Sequence, residues 1–488
     1  MKLRHSDIRF ISYIYVFLPL LIFFSTWLKP FIGLPLCFAI ILAIYYCFND
    51  KDNTVIKLDR DKIIRIGFVL ALILLIVLTS GIGGSIKQYP DHIYRNSLFK
   101  LLIDQKWPVR MTTFDGYDRS MTYYIGFWLP AALIGKYTSY QFALFFLQLW
   151  AFIGLALIFY HICFYRKKLS LSYLVVFLIF GGLDALGTLL TGNVYEQIGN
   201  RFEWWTAIFN YPSILTNLFW AYNQAIYGWL ITMMILNEKD KRNIIFIYSS
   251  SLLSCTFPAI GLLPYVIYMF VKYGMKDIFK HISSIQNIIG FVILCVTGLY
   301  VATNIAIFSG LENIMNYTAQ PTADNIVIQS TAFTSYRFTS HLYAYLWFIL
   351  LEFGIYFMIL YEDKHKDRLY WLTLIVLLIV PLIQIGNFID FCLRASIPGL
   401  LALYLMLIEK IDHDIEKKNY KTLSVIVILL MIASINTYDT LKGVMIPTAE
   451  ELFSGTYPQM ERVDPNYMGN FDNFFGHSDS FFERYFLR

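Results

Sequence analysis

The chain has 488 residues, of which 57% are hydrophobic and only 15% charged, whereas soluble domains carry roughly 25% charged residues. Apolar runs able to cross roughly 30 Å of hydrocarbon recur along the whole length, which excludes a set of soluble domains with one stray anchor. A net charge of +5, spread in short clusters between those runs, gives no basic face for nucleic acid and instead orients a membrane protein.

The first apolar run, 8–28, follows Lys2, Arg4 and Arg9 without a small-residue cleavage site and reads as a retained anchor. Windows of about 19 residues predict roughly thirteen spans, at 8–28, 31–47, 63–84, 140–164, 170–191, 213–236, 243–257, 258–274, 285–308, 341–361, 369–385, 395–409 and 421–437. The fold class expected is therefore an all-α polytopic membrane protein. The membrane domain spans 1–438 and an outer tail spans 439–488.

Lys and Arg resist translocation and mark the cytoplasmic side. The N-terminus, the stretch 51–65, Arg166 to Lys168, and the clusters at 239–242, 272–280, 364–368 and 410–421 all fall on that side if 123–137 lies on the outer interface. Tyr, Trp and Pro are well tolerated there. The result is an N-terminus inside, a C-terminus outside, and an outer loop, 84–139, carrying two membrane-surface helices. Richness in Ile, Lys, Tyr and Asn fits a bacterial inner membrane.

The outer loop opens with Tyr89, Pro90, Asp91, His92, Tyr94 and Arg95. Tyr94, Leu98, Leu101 and Leu102 then share one helical face, suited to rest on lipid headgroups. Asp91 and Arg95 lie one turn apart. The carboxylate can take a proton from a hydroxyl while the guanidinium holds a phosphate, or Asp91 simply caps the helix after Pro90. Asp184 sits inside an apolar run, where an ionised carboxylate costs several kcal/mol unless paired. It is either functional or a hydrogen-bonded acid joining helices.

Glu196, Arg201, Glu203, Trp204 and Trp205 follow in the next outer segment. Acids and indoles suit a sugar, since hydroxyls want carboxylates and ring faces want aromatics, but paired tryptophans also anchor spans at the interface. Asn217, Asn223 and Gln224 either line the same cavity or bridge helices. Asn387, Asp390 and Arg394 form a turn-spaced set at an outer edge. Arg394 is the best candidate for a lipid-linked phosphate, the alternative being an internal pair with Asp390. Tyr336, Arg337 and His341 make a weaker cluster, and His477 and Asp479 lie in the tail.

The six cysteines, at 37, 47, 163, 255, 295 and 392, lack CxxC spacing, so neither a disulfide framework nor a zinc site is expected. No Walker loop, dinucleotide glycine pattern, Ser-His-Asp arrangement or haem motif occurs. Nucleotide-driven chemistry on the inner face is disfavoured accordingly.

An early in-to-out span, a long acid-led outer loop, an interfacial helix and a span ending in a basic cluster together resemble the GT-C class of glycosyltransferases. Residues 122–136 (TYYIGFWLPAALIGK), Gly181 to Asp184, 257–264 (FPAIGLLP) and 387–398 (NFIDFCLRASIP) are similar to a largely uncharacterised bacterial membrane family of that kind. The resemblance covers most of the chain in organisation, through short motifs. It implies an enzyme that moves a sugar from a polyprenyl-phosphate carrier to a glycan or glycolipid of the cell envelope, with inversion, and without nucleic-acid partners. Asp91 would correspond to the loop acid that activates the acceptor or helps to hold the donor, with His92 and Arg95 beside it; in the mechanism expected here Asp91 is the general base and Arg394, with Arg95 or Arg201, stabilises the leaving phosphate. Metal-dependent members use Mg or Mn, but no Asp-x-Asp or Glu-x-Asp pair follows the early span, and Asp115 and Asp118 come late. A polysaccharide polymerase or ligase would place its Arg and His in a large late loop, and a glycolipid flippase would show internal repeats and more charge along its path.

Overall fold

The computed structural model describes residues 2–48, 55–112, 118–191, 202–206, 208–272, 278–304, 342–383, 385, 389–456, 474–476 and 480–488. In chain order the main helices are α1 (His5–Trp27), α2 (Pro30–Cys47), α3 (Arg60–Thr79), α4 (His92–Asp104), α5 (Leu129–Tyr137), α6 (Tyr140–Arg166), α7 (Leu171–Ile179), α8 (Asp184–Thr191), α9 (Ile214–Asn237), α10 (Ile244–Ser249), α11 (Thr256–Val271), α12 (Ile278–Ile282) and α13 (Ile285–Ala302). After them come α14 (Leu342–Lys364), α15 (Arg368–Ile379), α16 (Asp390–Ala395), α17 (Ile397–Lys417), α18 (Tyr420–Phe453) and α19 (Phe481–Tyr485).

Among the described residues, nine helical stretches are long and apolar enough to cross a membrane: α1, α2, α3, α6, α7 with α8, α13, α14, α16 with α17, and α18. The protein is thus an all-α, multi-pass membrane protein. The expected span at 243–257 is a six-residue helix, α10, followed by turns. There Ser249, Ser250 and Ser251 each return their hydroxyl to the carbonyl three residues earlier, a local competition that does not favour long helices.

The chain writes its own helix starts. Asp59, Ser139, Ser213 and Ser284 each accept a backbone N–H from the first turn of α3, α6, α9 and α13, satisfying donors a helix leaves unpaired. α2 and α3 turn Phe31, Leu34, Phe38, Ile64, Phe68 and Leu75 outward, as lipid-facing helices do. α9 behaves oppositely: every residue except Trp220 and Asn237 is buried, including Asn217, Asn223, Gln224 and Thr232. It is the hub on which α6, α11 and α17 pack.

Basic connectors lock one end of the bundle. Asp412 on α17 receives Lys168 at 2.7 Å and Arg166 at 3.1 Å, Glu409 receives Lys364 at 2.8 Å, and Lys410 lies 2.6 Å from Asp363 and 2.9 Å from Asp414. Glu238 at the end of α9 takes Arg9 of α1 at 2.7 Å. At the opposite end two short antiparallel strands, β1 (Arg110–Thr112) and β2 (Asp118–Ser120), pair within the 84–139 loop.

The face of α4 expected to rest on lipid packs on protein instead. Leu98, Leu101 and Leu102 are buried where α4 meets α5, which in turn packs on α6. An amphipathic face accepts either cover, because burial of apolar area is non-directional. α18 runs unbroken through residue 438, where the apolar run ends. Beyond it the chain end clasps the end of the bundle opposite the basic connectors. Phe475 bridges Met121, Gly476 bridges Asn304, and Leu487 bridges Leu28. Ser120 donates to Glu483 at 2.6 Å.

Candidate functional site

Gly81, Gly83 and Gly84 all adopt positive φ, a conformation glycine reaches without strain, and they turn the chain from α3 toward α4. The backbone then enters α4 held from below. The Gln88 side-chain amide donates to the Gly81 carbonyl at 2.6 Å, Asn96 donates to Gln88 at 2.8 Å, and His92 Nε2 lies 2.9 Å from the Phe219 carbonyl of α9. His92 Nδ1 meets the Gln88 amide at 3.3 Å.

His92, expected beside the substrate, is buried with both ring nitrogens in hydrogen bonds to the protein. Burial, reinforced by the Arg95 guanidinium, pushes its imidazole down to about 3, so it is neutral. It positions Asp91 and Arg95 from beneath.

Asp91 precedes α4 but its side chain makes no capping hydrogen bond. The carboxylate is 45% exposed and stands 3.7 Å from Arg95 Nη2. The Arg95 side chain is only 11% exposed. Its guanidinium lies 5.8 Å over the Tyr222 ring, and its Nη1 has no hydrogen-bond partner.

Arg394 reaches the same place from α16. It pairs with Asp390 at 2.6 Å, its side chain is 12% exposed, and its Nε has no hydrogen-bond partner. Tyr123 and Tyr124, whose hydroxyls hydrogen-bond each other, feel both guanidinium groups. Burial pushes both phenols above the ordinary range, the cations pulling the other way, so both stay protonated donors. Tyr300 fixes this corner: its hydroxyl accepts the Tyr123 backbone N–H at 3.1 Å and faces the Met121 and Tyr123 carbonyls. Trp128 Nε1 donates to Tyr222 at 3.1 Å.

Two Asp/Arg pairs separated by almost three hundred positions thus have their arginines acting electrostatically on the same two phenols. The two aspartates are the more exposed members and the two arginines the buried ones. Guanidinium N–H groups and phenol O–H groups are what a phosphate monoester or diester accepts from. The same charge makes the residues a poor fit for a divalent metal, which needs a surplus of anionic oxygen.

A second polar centre lies deeper. Asp184, Glu203 and Glu352 are all buried. Glu203 accepts from the Ser213 backbone N–H at 2.9 Å and from Thr216 at 2.8 Å, which anchors the start of α9. Thr216 meets Thr440 at 2.8 Å, and Tyr89, two residues before Asp91, donates to the Thr440 carbonyl at 2.8 Å. Trp205 is buried and donates to Glu352 at 3.1 Å, so it serves a carboxyl group and not an interface. Asn223 Nδ2 and Gln224 Oε1 are buried without a hydrogen-bond partner.

Glu196, Arg201 and Asn387, with Asp115, Tyr336, Arg337, His341, His477 and Asp479, lie outside the described residues. Asp363, His413 and Asp414 at the basic end come close enough to share a cation, and Lys410 already supplies one there. Tyr123, Tyr124 and Glu352 escaped sequence reasoning. Glu352 carried the same signal as Asp184, an acid inside an apolar run. The tyrosines carried none, since aromatics at a membrane boundary are ordinary. The chain matches no protein-family model, no curated protein and no solved structure.

Proposed function

We propose that the protein is a membrane glycosyltransferase that takes a sugar from a polyprenyl-phosphate carrier and passes it to a cell-envelope glycan or glycolipid on the outer face of a bacterial inner membrane. The observation that carries this reading is the convergence of Arg95 and Arg394, both largely buried and both with unpartnered N–H groups, beside an exposed Asp91 free of capping duty. On this reading the loop 84–139 faces outward and the basic connectors face the inside.

The chemistry follows from the placement. Arg95, Arg394 and the Tyr123 and Tyr124 hydroxyls receive the carrier phosphate and stabilise the negative charge that grows on it as the glycosidic bond breaks. Asp91 takes the proton of the attacking acceptor hydroxyl. The C1–O bond to phosphate breaks as the new bond to the acceptor oxygen forms, and direct attack inverts the anomeric centre. Charge neutralisation falls to the two guanidinium groups, so no metal ion is required in these steps.

The test is a transfer assay on protein in lipid nanodiscs with a panel of radiolabelled polyprenyl-phosphate sugars, native against Asp91→Asn. Loss of transfer by about 10²- to 10⁴-fold, the range for a removed general base, with carrier binding kept, supports the reading. A second reading, a lipid-glycan flippase, draws on the buried acids Asp184 and Glu352, because intramembrane acids mark transport paths. Carrier binding without transfer from any donor, equal in both proteins, would favour it.

A further inference from the structure

The run of α7 stops at Ile179 and resumes as α8 at Asp184, leaving Phe180 to Leu183 unwound among apolar helices. α14 carries a matching irregularity, a π-helical stretch at Leu350–Gly354, a feature frequent at functional sites. The two breaks are sewn together. The Leu183 N–H donates to the Leu351 carbonyl at 3.1 Å, and the Tyr356 hydroxyl donates to the Gly181 carbonyl at 3.1 Å.

Both breaks aim an acid at one point. A Cβ on Gly182 would stand 2.0 Å from Glu352 Oε2 and 3.1 Å from Asp184 Oδ2, so the two carboxyl groups flank a single backbone atom, within hydrogen-bonding reach of one another. Both residues are buried. Asn436 of α18 donates to Asp184 Oδ2 and lies 3.3 Å from the Gly182 carbonyl. Three oxygens here have no hydrogen-bond partner: Asp184 Oδ1, Glu352 Oε2 and Asn436 Oδ1.

Among the described residues, the titratable groups that interact with the pair are Glu203, Tyr211 and Tyr356, none of them cationic. Two touching carboxylates at this depth repel each other and lack solvation, so one positive charge must accompany them. We propose that Asp184, Glu352 and Asn436 form a binding site for one monovalent cation inside the bundle, met by carboxyl oxygens either as a shared proton or as a sodium ion. The site is separate from the arginine-lined one and does not depend on the glycosyltransferase reading.

The experiment is thermal melting of the full chain in nanodiscs across a pH series, in sodium chloride and in choline chloride, with Glu352→Gln as the isosteric variant that removes one charge. The native protein should lose several degrees of melting temperature as pH rises in choline chloride. Restoration by sodium identifies the ion as sodium; coincident curves in the two salts identify a proton. Glu352→Gln should fold and show a flattened dependence, and in the proton case the infrared band of a protonated carboxyl should disappear with it. Native melting that ignores both pH and sodium overturns the proposal, as does Glu352→Gln keeping the full native dependence. Should Glu352→Gln not fold, Asp184→Asn is read by the same criteria.

Discussion

Arg394 and Asp390 sit one helical turn apart and pair at 2.6 Å, yet the guanidinium keeps an Nε without a hydrogen-bond partner. An arginine can serve both because it carries five donors in a rigid fork. Arg394→Lys keeps the charge and loses the fork, so carrier binding should weaken about 10- to 100-fold, corresponding to roughly 1.5–3 kcal/mol for a charged hydrogen bond. Titration of nanodisc protein with undecaprenyl phosphate by intrinsic tryptophan fluorescence measures this, and an unchanged affinity would remove Arg394 from the phosphate site. His92 is the other informative residue. Its imidazole is held near 3 against an ordinary value of 6.5, so the unfolded chain binds its proton first as pH falls. The stabilising neutral state is intact above about 6.5 and is lost progressively toward 3, with a limiting slope of about 1.4 kcal/mol per pH unit. Melting of His92→Gln between those limits should show a shallower slope than the native protein.

Among the helices, the most telling feature is the interruption between α7 and α8. Continuous apolar residues predict one span at 170–191, and length and hydropathy are right. The break at Gly181 and Gly182 comes from tertiary demand, because a side chain at either would collide with Ser213 or Glu352. Gly182→Ala should therefore destabilise by about 1–3 kcal/mol, as overpacking does. Gly67→Ala is its control: nothing lies within 4 Å of a Cβ there, and helix propensity favours alanine by roughly 1 kcal/mol. Parallel melts of the two variants that moved equally would remove the steric argument. α4 teaches the converse. Its apolar stripe was legible by spacing, but whether lipid or α5 covers it depends on where the outer loop folds back.

For the molecule as a whole, the two ends are closed by different means. The basic end is closed by ion pairs on α17, and Lys410 is the member whose loss leaves Asp363 and the buried Asp414 facing each other. Lys410→Met should cost about 3 kcal/mol, the range for breaking a buried pair on one side, read as a lowered melting temperature. The opposite end is closed by chain segments far apart in sequence. The Lys29 N–H donates to the Phe486 carbonyl and the Arg488 N–H donates to the Trp27 carbonyl, both at 2.9 Å, with Phe482 buried between.

The membrane class, the positions of most long helices and the chemical candidates Asp91, Asp184, Asp390 and Arg394 were all legible in the sequence. Hydropathy follows from local composition, and an ionisable side chain in an apolar run stands out wherever the chain goes. Proximity is not a local property. That Arg95 and Arg394 share one pair of tyrosines, that His92 is a buried clip on α9, and that Asp184 meets Glu352 across two helix breaks were decided only by tertiary packing, in which residues hundreds of positions apart are pressed together and their unpaired polar atoms are left to find partners.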